Sequence, residues 1–266
     1  MLNHLDLCSG IGGFALGLQS TDFFKTIGFC EIDPYCQKVL KKNFSDVPIY
    51  SNIKELKPKE LNLQPDIITS GFPCQPFSVA GKQKGKDDDR NLWQETFRII
   101  KESKPTFFIG ENVGGIVKLY LDTILKDLAS QDYSTRCFNI SASSIGAKHK
   151  RERIWIVSYS NAGLGIRKNE EIQTRWNATT NGSQNVSNTD NIGTQVSTQR
   201  QYSSIKLFGS KSQENWWQTF SKFYRIPNGV SYGLDKDRAK RIKALGNAIV
   251  PQIPYYIGLA IKELYE

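Results

Sequence analysis

One cysteine stands between two prolines in the segment GFPCQPFS, at residues 71–78. Pro73 and Pro76 each fix φ at about −65° and remove a backbone donor, so neither a helix nor a central strand continues through this segment. Cys74 is therefore expected on a stiff loop, where its position is closely held. Such a position suits a nucleophile better than a cysteine that only packs a core.

An acid and a group of basic residues could act together with this thiol. Glu111 ends an apolar stretch in FFIGENVGG (107–115), where partial burial raises the pKa of a carboxyl toward a value suited to proton donation. Positive charge that would favour the thiolate is supplied in GAKHKRER (146–153) by Lys148, Lys150, Arg151 and Arg153. These residues suggest a thiolate that adds to an electron-poor ring, an acid that protonates the ring and arginines that hold it. The alternatives are a paired structural acid and a solvated basic strand edge.

A glycine-rich stretch near the start of the chain could bind a cofactor. DLCSGIGGFALGL (6–18) places Gly10, Gly12 and Gly13 between a predicted strand and a predicted helix, with the loose pattern G-x-G-x-x-A. Glu31 follows about 20 residues later, where an acid bonds ribose hydroxyls in nucleoside-binding sheets. The loop and the acid predict a nucleoside cofactor, and the loop's lack of Lys and Arg favours one without phosphates. A tight turn that binds no ligand is the alternative.

The elements that must position these groups alternate between strands and helices. Apolar runs predict strands at 3–7, 26–31, 66–70, 106–111, 133–139 and 153–158, and amphipathic stretches predict helices at 13–18, 34–43, 91–103 and 119–130. This alternation is typical of a doubly wound α/β fold with a mostly parallel sheet, in which ligands bind beyond the carboxyl ends of the strands. The glycine loop, Glu31, Cys74 and Glu111 should therefore share one rim. An apolar-faced helix is expected at 250–265.

Charge and composition indicate the kind of binding partner and the division of the chain into regions. The chain has 266 residues and a formal net charge of +9, which favours a polyanion such as nucleic acid over a merely soluble basic protein. A stretch rich in Asn, Ser, Thr and Gln divides the chain into a catalytic and cofactor-binding domain at 1–160, a small region at 161–228 and a C-terminal return at 229–266.

The cysteines and the apolar runs indicate the cellular compartment in which the protein works. Five cysteines without a C-x-x-C pair, and two distant histidines, argue against a zinc site. Their odd number, with no leader sequence at the start, predicts a reducing cytoplasm. We find no apolar run near 18 residues, so no membrane-spanning helix is expected.

The order of these motifs resembles that of the C5-cytosine DNA methyltransferase family in its short bacterial and phage form. DLCSGIGG, EID, GFPCQPFS, ENV, RER and GNAIVP follow one another over nearly the whole chain, apart from about 161–228. The resemblance implies a Rossmann-like fold and transfer of a methyl group from S-adenosylmethionine to C5 of a cytosine flipped out of double-stranded DNA. It implies that Cys74 attacks C6, Glu111 hydrogen-bonds or protonates N3, and Arg153 contacts the ring. Arg151 would steady the pocket.

The resemblance also implies two sets of binding residues. The cofactor would be bound by Asp6, Leu7, Cys8, Ser9, Gly10, Gly12, Gly13, Glu31, Ile32, Asn52, Ile53, Pro73, Leu92, Asn247 and Ile249. The family usually has Asp at position 52, so the contact that Asn52 makes with the adenine would differ here. DNA would be contacted by Gln75, Ser78, Lys82, Lys84, Lys86, Lys148, Lys150, Lys222 and Arg225. The stretch at 81–90 is expected to close over the DNA, and the region at 161–228 to read its sequence.

Other functions compete with this interpretation. An RNA cytosine methyltransferase acting on transfer RNA belongs to the same family, but that subfamily usually has Thr where this chain has Ser78. A nicotinamide-dependent dehydrogenase explains the glycine loop and leaves GFPCQPFS and ENV unexplained. A silent DNA-binding relative is disfavoured by the intact Cys74, Glu111 and Arg153. We expect a monomer. It would serve a restriction-modification system with a cognate restriction endonuclease, protect a phage or act alone.

Overall fold

A central sheet of seven strands, with helices against both of its faces, is seen in a computed structural model that describes residues 1–73, 92–164 and 237–265. The strands are β1 (Leu2–Leu7), β2 (Phe24–Cys30), β3 (Ile49–Tyr50), β4 (Ile67–Ser70), β5 (Phe107–Asn112), β6 (Tyr133–Ser141) and β7 (Glu152–Ser160). The helices are α1 (Gly13–Gln19), α2 (Pro34–Asn43), α3 (Trp93–Ser103), α4 (Ile116–Leu119), α5 (Leu121–Ser130), α6 (Asn161–Leu164), α7 (Arg238–Asn247) and α8 (Gln252–Lys262), with a 3₁₀ helix at Ala142–Ile145.

The strand order is β3-β2-β1-β4-β5-β7-β6. Strands β1 to β5 are paired in parallel, whereas β7 is antiparallel to both of its neighbours. The predicted doubly wound, mostly parallel sheet is thus confirmed. The chain winds outward from β1 to β3 and then returns to form β4 on the other side of β1. This change of direction opens a crevice above the carboxyl ends of β1 and β4, which is where such sheets bind ligands.

Two hydrophobic layers enclose the sheet. Leu5 and Ile68 pack in one layer with α3 and α5, and Ile67 packs in the other with α1 and α8. Consecutive residues of β4 therefore enter opposite layers, as expected for a parallel strand that is buried on both faces. The loops at the strand ends are consequently carried by a scaffold with little freedom to move.

The C-terminal helix α8 packs mainly on α1. Small residues on α1 permit this close approach. A Cβ atom at Gly13 would lie 2.7 Å from the carbonyl oxygen of Ile249, and one at Gly17 would overlap the carbonyl oxygen of Pro251. The two glycines thus bring the C-terminal segment to the helix that follows the glycine loop.

Replacement of Gly17 by alanine is expected to lower the free energy of unfolding by about 1–3 kcal/mol, because the added methyl group displaces the backbone at Pro251. The sign is informative, since the same change inside an unobstructed helix stabilises by about 0.5–1 kcal/mol. Urea unfolding of the variant measures the effect. Leu16→Ala on the exposed side of α1 is the control and should change stability little. An unchanged or raised midpoint for Gly17→Ala would contradict the close packing of α1 and α8.

Sequence patterns predicted most of the long elements and missed the short ones, together with the ten-residue helix α7. The unpredicted elements are β3, α4, α6, α7 and the 3₁₀ helix. The helix predicted at 119–130 is divided at Tyr120, whose φ of −149° is not helical. Glu31 lies one residue beyond β2, whereas the predicted strand included it. Most of 161–228 lies outside the described residues, so the division into three regions stays a prediction.

Two further expectations concern membranes and metals. The stretch Arg238–Lys262 has the length and hydropathy of a membrane span, but this is weak evidence, because the structure breaks it into α7 and α8. In the described ranges no three His, Cys, Asp or Glu residues are grouped so that they could hold a metal ion.

Candidate functional site

The loop after β1 turns through left-handed backbone conformations. Cys8, Gly10 and Gly12 have φ values of 51°, 55° and 87°. Glycine adopts these angles at no steric cost, whereas Cys8 is held in a region that other residues seldom occupy. Ser9 fastens the loop, because its hydroxyl donates to the carbonyl of Asp6 at 2.6 Å and its amide donates to that of Cys30 at 3.1 Å. The loop is therefore tied to the ends of both β1 and β2.

The carboxylate of Glu31 lies against this loop. The amide of Gly10 donates to its Oε2 at 2.6 Å, and the amide of Asp33 donates to its Oε1 at 2.8 Å. Burial raises the pKa of Glu31, and these backbone bonds partly oppose that rise. Each carboxylate oxygen can accept a second hydrogen bond, so the group can receive the two hydroxyls of a ribose. Ile32, the next residue, is 73% exposed beside it.

A short turn at 52–56 begins next to Glu31. The side-chain amide of Gln37 donates to the carbonyl of Glu31 at 2.5 Å and to the hydroxyl of Ser51 at 3.3 Å, which links the two segments. Asn52 uses its side chain within the turn: Oδ1 accepts from the amide of Lys54 at 3.0 Å. Ile53 is buried. The predicted contacts of Asn52 and Ile53 with adenine stay predictions, and the structure places both residues in the turn beside Glu31.

The C-terminal return lies between the loops that follow β1 and β4. A Cβ atom at Gly71 would lie 3.6 Å from Cδ1 of Ile249 and 3.8 Å from the carbonyl oxygen of Cys8. Ile249 therefore occupies the crevice at the change in strand order. Its neighbour Asn247 is exposed, while Pro73 and Leu92 are partly buried.

Asp6 and Leu7 are fully buried inside β1, beneath the loop. The hydroxyl of Thr69 donates to Oδ1 of Asp6 at 2.7 Å, and Nε2 of His4 lies 2.7 Å from the same hydroxyl. Burial raises the pKa of Asp6 and lowers that of His4 to about 3. The sequence analysis missed this buried polar chain. Its signal was two polar residues at alternate positions of an apolar strand, which share one face.

Glu111 and Arg153 form an ion pair on neighbouring strands. Glu111 on β5 is opposite Trp155 on β7, so Arg153, two residues before Trp155, lies on the same face. Its Nε is 3.2 Å from Oε1 of Glu111. Burial raises the pKa of Glu111 to about 7, although Arg153 and then Arg151 lower it. The predicted rise in this pKa is confirmed, and a carboxyl with a raised pKa is suited to donate a proton near neutral pH.

Arg151 points at the C-terminal return. It has a φ of 30°, and its guanidinium donates to the carbonyls of Gly246 at 2.8 Å and Ala248 at 2.7 Å. These carbonyls flank Asn247 and precede Ile249. Arg151 therefore links the strand that carries Arg153 to the segment that closes the crevice. Its predicted role of steadying the pocket stays a prediction, which this geometry supports.

Asn112 connects β5 to the segment that leads to Cys74. Its side-chain amide donates to the carbonyl of Phe72 at 3.0 Å, and its Oδ1 accepts from the amide of Val113 at 2.9 Å. The residue is buried, so it holds the backbone two residues before Cys74. The role of Asn112 was not predicted from the sequence, although its place in the ENV motif, directly after Glu111, could have indicated one.

Several predicted residues lie outside the described ranges, and their roles stay predictions: Cys74, Gln75, Ser78, Lys82, Lys84, Lys86, Lys222 and Arg225. Lys148 and Lys150 are described and exposed. The ammonium of Lys150 is 3.2 Å from Oε1 of Glu152. Both lysines lie just before β7, near the end that carries Arg153.

A doubly wound sheet with a glycine loop and an acid beside its change in strand order is typical of nucleoside-binding α/β proteins. The family model of C-5 cytosine-specific DNA methylases matches residues 2–230, and the chain belongs to this family.

Known relatives agree with this membership. The chain is 39% identical over 166 residues to the type II methyltransferase M1.ScrFI of Lactococcus lactis subsp. cremoris, covering 60% of this chain and 42% of that protein. It is 34% identical over 180 residues to the type II methyltransferase M.CviJI of Paramecium bursaria Chlorella virus IL3A, covering 66% and 47%. The crystal structure of the S. pombe Dnmt2 methyltransferase shares the fold, with a TM-score of 0.62 over 99% of both chains at 15% identity. The chain spans about half the length of the curated relatives it matches or less.

Proposed function

We propose that this chain is a DNA cytosine-5 methyltransferase that uses S-adenosylmethionine. One observation carries the proposal: Glu111, with a pKa of about 7, is paired with Arg153 beside Asn112, which holds the segment leading to Cys74. An acid that can be neutral near pH 7, a guanidinium and a nucleophile-bearing loop are what addition to a cytosine ring requires.

The residues present fit the cofactor. A Cβ atom at Gly10 would meet nothing within 4 Å, so there is open space in front of the loop. Glu31 borders that space with two oxygens that can accept ribose hydroxyls, and Ile32 offers an exposed apolar surface for a base. The bound cofactor would supply an electrophilic methyl group. The loop, Glu31 and the turn at 52–56 would orient its nucleoside.

The chemistry at the cytosine then follows from the residues. The thiolate of Cys74 would form a bond to C6, and the ring electrons would move toward N3, which Glu111 protonates. C5 becomes nucleophilic and would take the methyl group, with S-adenosylhomocysteine as the leaving group. Transfer of the C5 proton to water and expulsion of the thiolate would restore the ring and release 5-methylcytosine. Arg153 would hold the ring, and the proton that Glu111 donates would return from N3.

A cytosine inside a duplex exposes neither C5 nor C6 to such an attack. We infer that the base is flipped out of the DNA, at a cost of a few kcal/mol. Exposed Lys148 and Lys150 beside Arg153 would offset part of this cost through phosphate contacts. The type II relatives favour a restriction-modification context, and we propose action as a monomer in the cytoplasm on host or phage DNA.

Expression of the chain in a bacterial host that lacks DNA methylation tests the function. Bisulfite sequencing should find protected cytosines in one short sequence, because the enzyme would methylate every copy of its site. DNA from the same host with an empty vector is the control. A second assay offers the purified chain labelled S-adenosylmethionine with host DNA or with host transfer RNA. Label in the RNA alone, with no protected cytosine in the genome, would overturn the DNA assignment.

A further inference from the structure

An arginine on α3 makes four hydrogen bonds that the proposed mechanism does not use. Nε of Arg98 donates to Glu95 at 2.8 Å, and Nη1 donates to Glu102 at 2.9 Å. Nη2 donates to the carbonyls of Ile53 at 2.9 Å and Leu56 at 3.0 Å, more than 40 residues away in the chain. The side chain of Arg98 is 29% exposed, so these bonds are partly shielded from water. One guanidinium thus joins α3 to the turn at 52–56.

The turn is closed by its own hydrogen bonds and by those from Arg98. The amide of Leu56 donates to the carbonyl of Asn52 at 3.1 Å and to that of Ile53 at 3.3 Å, and the amide of Lys54 donates to the Asn52 side chain at 3.0 Å. A carbonyl oxygen can accept two hydrogen bonds, and the carbonyls of Ile53 and Leu56 both accept from an outside donor. Arg98 supplies that donor, so the turn's orientation is set by the position of α3.

We propose that Arg98 is a positioning residue that holds the turn at 52–56 against the adenine of the cofactor. This inference rests on the proposed function and deepens it. Ile53 is the buried residue of the turn, and Asn52 lies at its start beside Glu31. Arg98 donates directly to the carbonyl of Ile53. An adenine bound against this turn would therefore be recognised by backbone and side-chain groups whose position Arg98 fixes.

The arrangement requires arginine in particular. The planar guanidinium directs donors to both acids and both carbonyls at once, whereas an ammonium is a compact charge with three donors and no fixed fork. Glu95 and Glu102 lie three residues before and four residues after Arg98 on the helix, so they hold the guanidinium from two sides. Arg98→Lys keeps the positive charge and loses the fixed arrangement of donors that reaches both acids and both carbonyls.

The test measures binding of two ligands to the full chain by calorimetry. One is S-adenosylhomocysteine, and the other is its analogue with hypoxanthine in place of adenine. We expect Arg98→Lys to bind the adenine ligand roughly tenfold more weakly and to lose most of the preference for adenine over hypoxanthine. Methyl transfer at saturating cofactor should change less than twofold, because Glu111 and Arg153 lie on other elements.

Lys101→Ala is the matched control, since Lys101 lies on the same helix, with its ammonium 4.9 Å from the ring centroid of Phe97, and has no bond to the turn. It should bind both ligands as the wild type does. A folded Arg98→Lys variant with unchanged affinity and unchanged base preference would overturn the inference. If that variant does not fold, the double variant Glu95→Gln/Glu102→Gln tests the inference instead. An unchanged preference of that double variant for adenine would again overturn the inference. Failure of the wild type to bind S-adenosylhomocysteine would overturn the proposed function, and the inference with it.

Discussion

Methyl transfer by a Cys74→Ser variant is expected to fall below about one-thousandth of the wild-type rate, because a serine hydroxyl does not ionise near neutral pH and adds poorly to C6. The scaffold should survive, since the Asn112 amide bonds the carbonyl of Phe72, a backbone group that the substitution leaves in place. Transfer of a labelled methyl group to DNA under single-turnover conditions measures the loss. Affinity for S-adenosylhomocysteine should stay within about twofold, because the glycine loop, Glu31 and the turn at 52–56 lie on other segments.

The covalent step gives this prediction a second measurement. DNA with 5-fluorocytosine at the target position should become trapped on the wild type after methyl transfer, since fluorine cannot leave C5 as a proton does and the thiolate is then not expelled. A complex that survives denaturing electrophoresis is expected for the wild type and not for Cys74→Ser. Cys137→Ser, at a partly buried position on β6, is the control and should still be trapped. Trapping by Cys74→Ser would show that another group forms the bond.

The parts of the site predicted from sequence are those encoded by short, local patterns. The glycines after β1, Glu31 after β2 and Glu111 at the end of β5 each follow an apolar run, and parallel strands bring such ends to one rim. The raised pKa of Glu111 followed from its place at the end of a buried strand. These inferences needed only the period of the strands and the fold class.

The parts that were missed depend on contacts between distant segments. Arg151 meets Gly246 and Ala248 at a separation of 95 to 97 residues, and nothing in the local sequence names those partners. The same holds for Arg98 and the carbonyl of Ile53. Strand β3 has two residues, too few for a periodic signal. Helix α7 is exposed over most of its length, so it carries a weak apolar stripe.

Replacement of Glu111 by glutamine is expected to lower the rate of methyl transfer about 10²- to 10⁴-fold, the usual contribution of a positioned general acid. Glutamine keeps the size and a hydrogen bond but cannot deliver a proton to N3. The wild-type rate should fall as pH rises through about 7, because Glu111 then loses its proton. The residual rate of Glu111→Gln should not fall there. Single-turnover rates between pH 6 and 9 compare the two profiles.

The same titration predicts an effect on stability with a definite sign. The pKa of Glu111 is about 7 in the folded chain and about 4.5 as its ordinary value, so the folded state binds the proton more tightly. Its contribution to stability is fully present below about pH 4.5 and is lost as pH rises through about 7. The free energy of unfolding of Glu111→Gln minus that of the wild type should therefore be larger at pH 8 than at pH 5, as measured by urea unfolding. Glu152→Gln, at an exposed neighbouring position, is the control. If Glu111→Gln gave the same stability difference at both pH values, burial would not be raising this pKa, and the acid would be ionised throughout the working range.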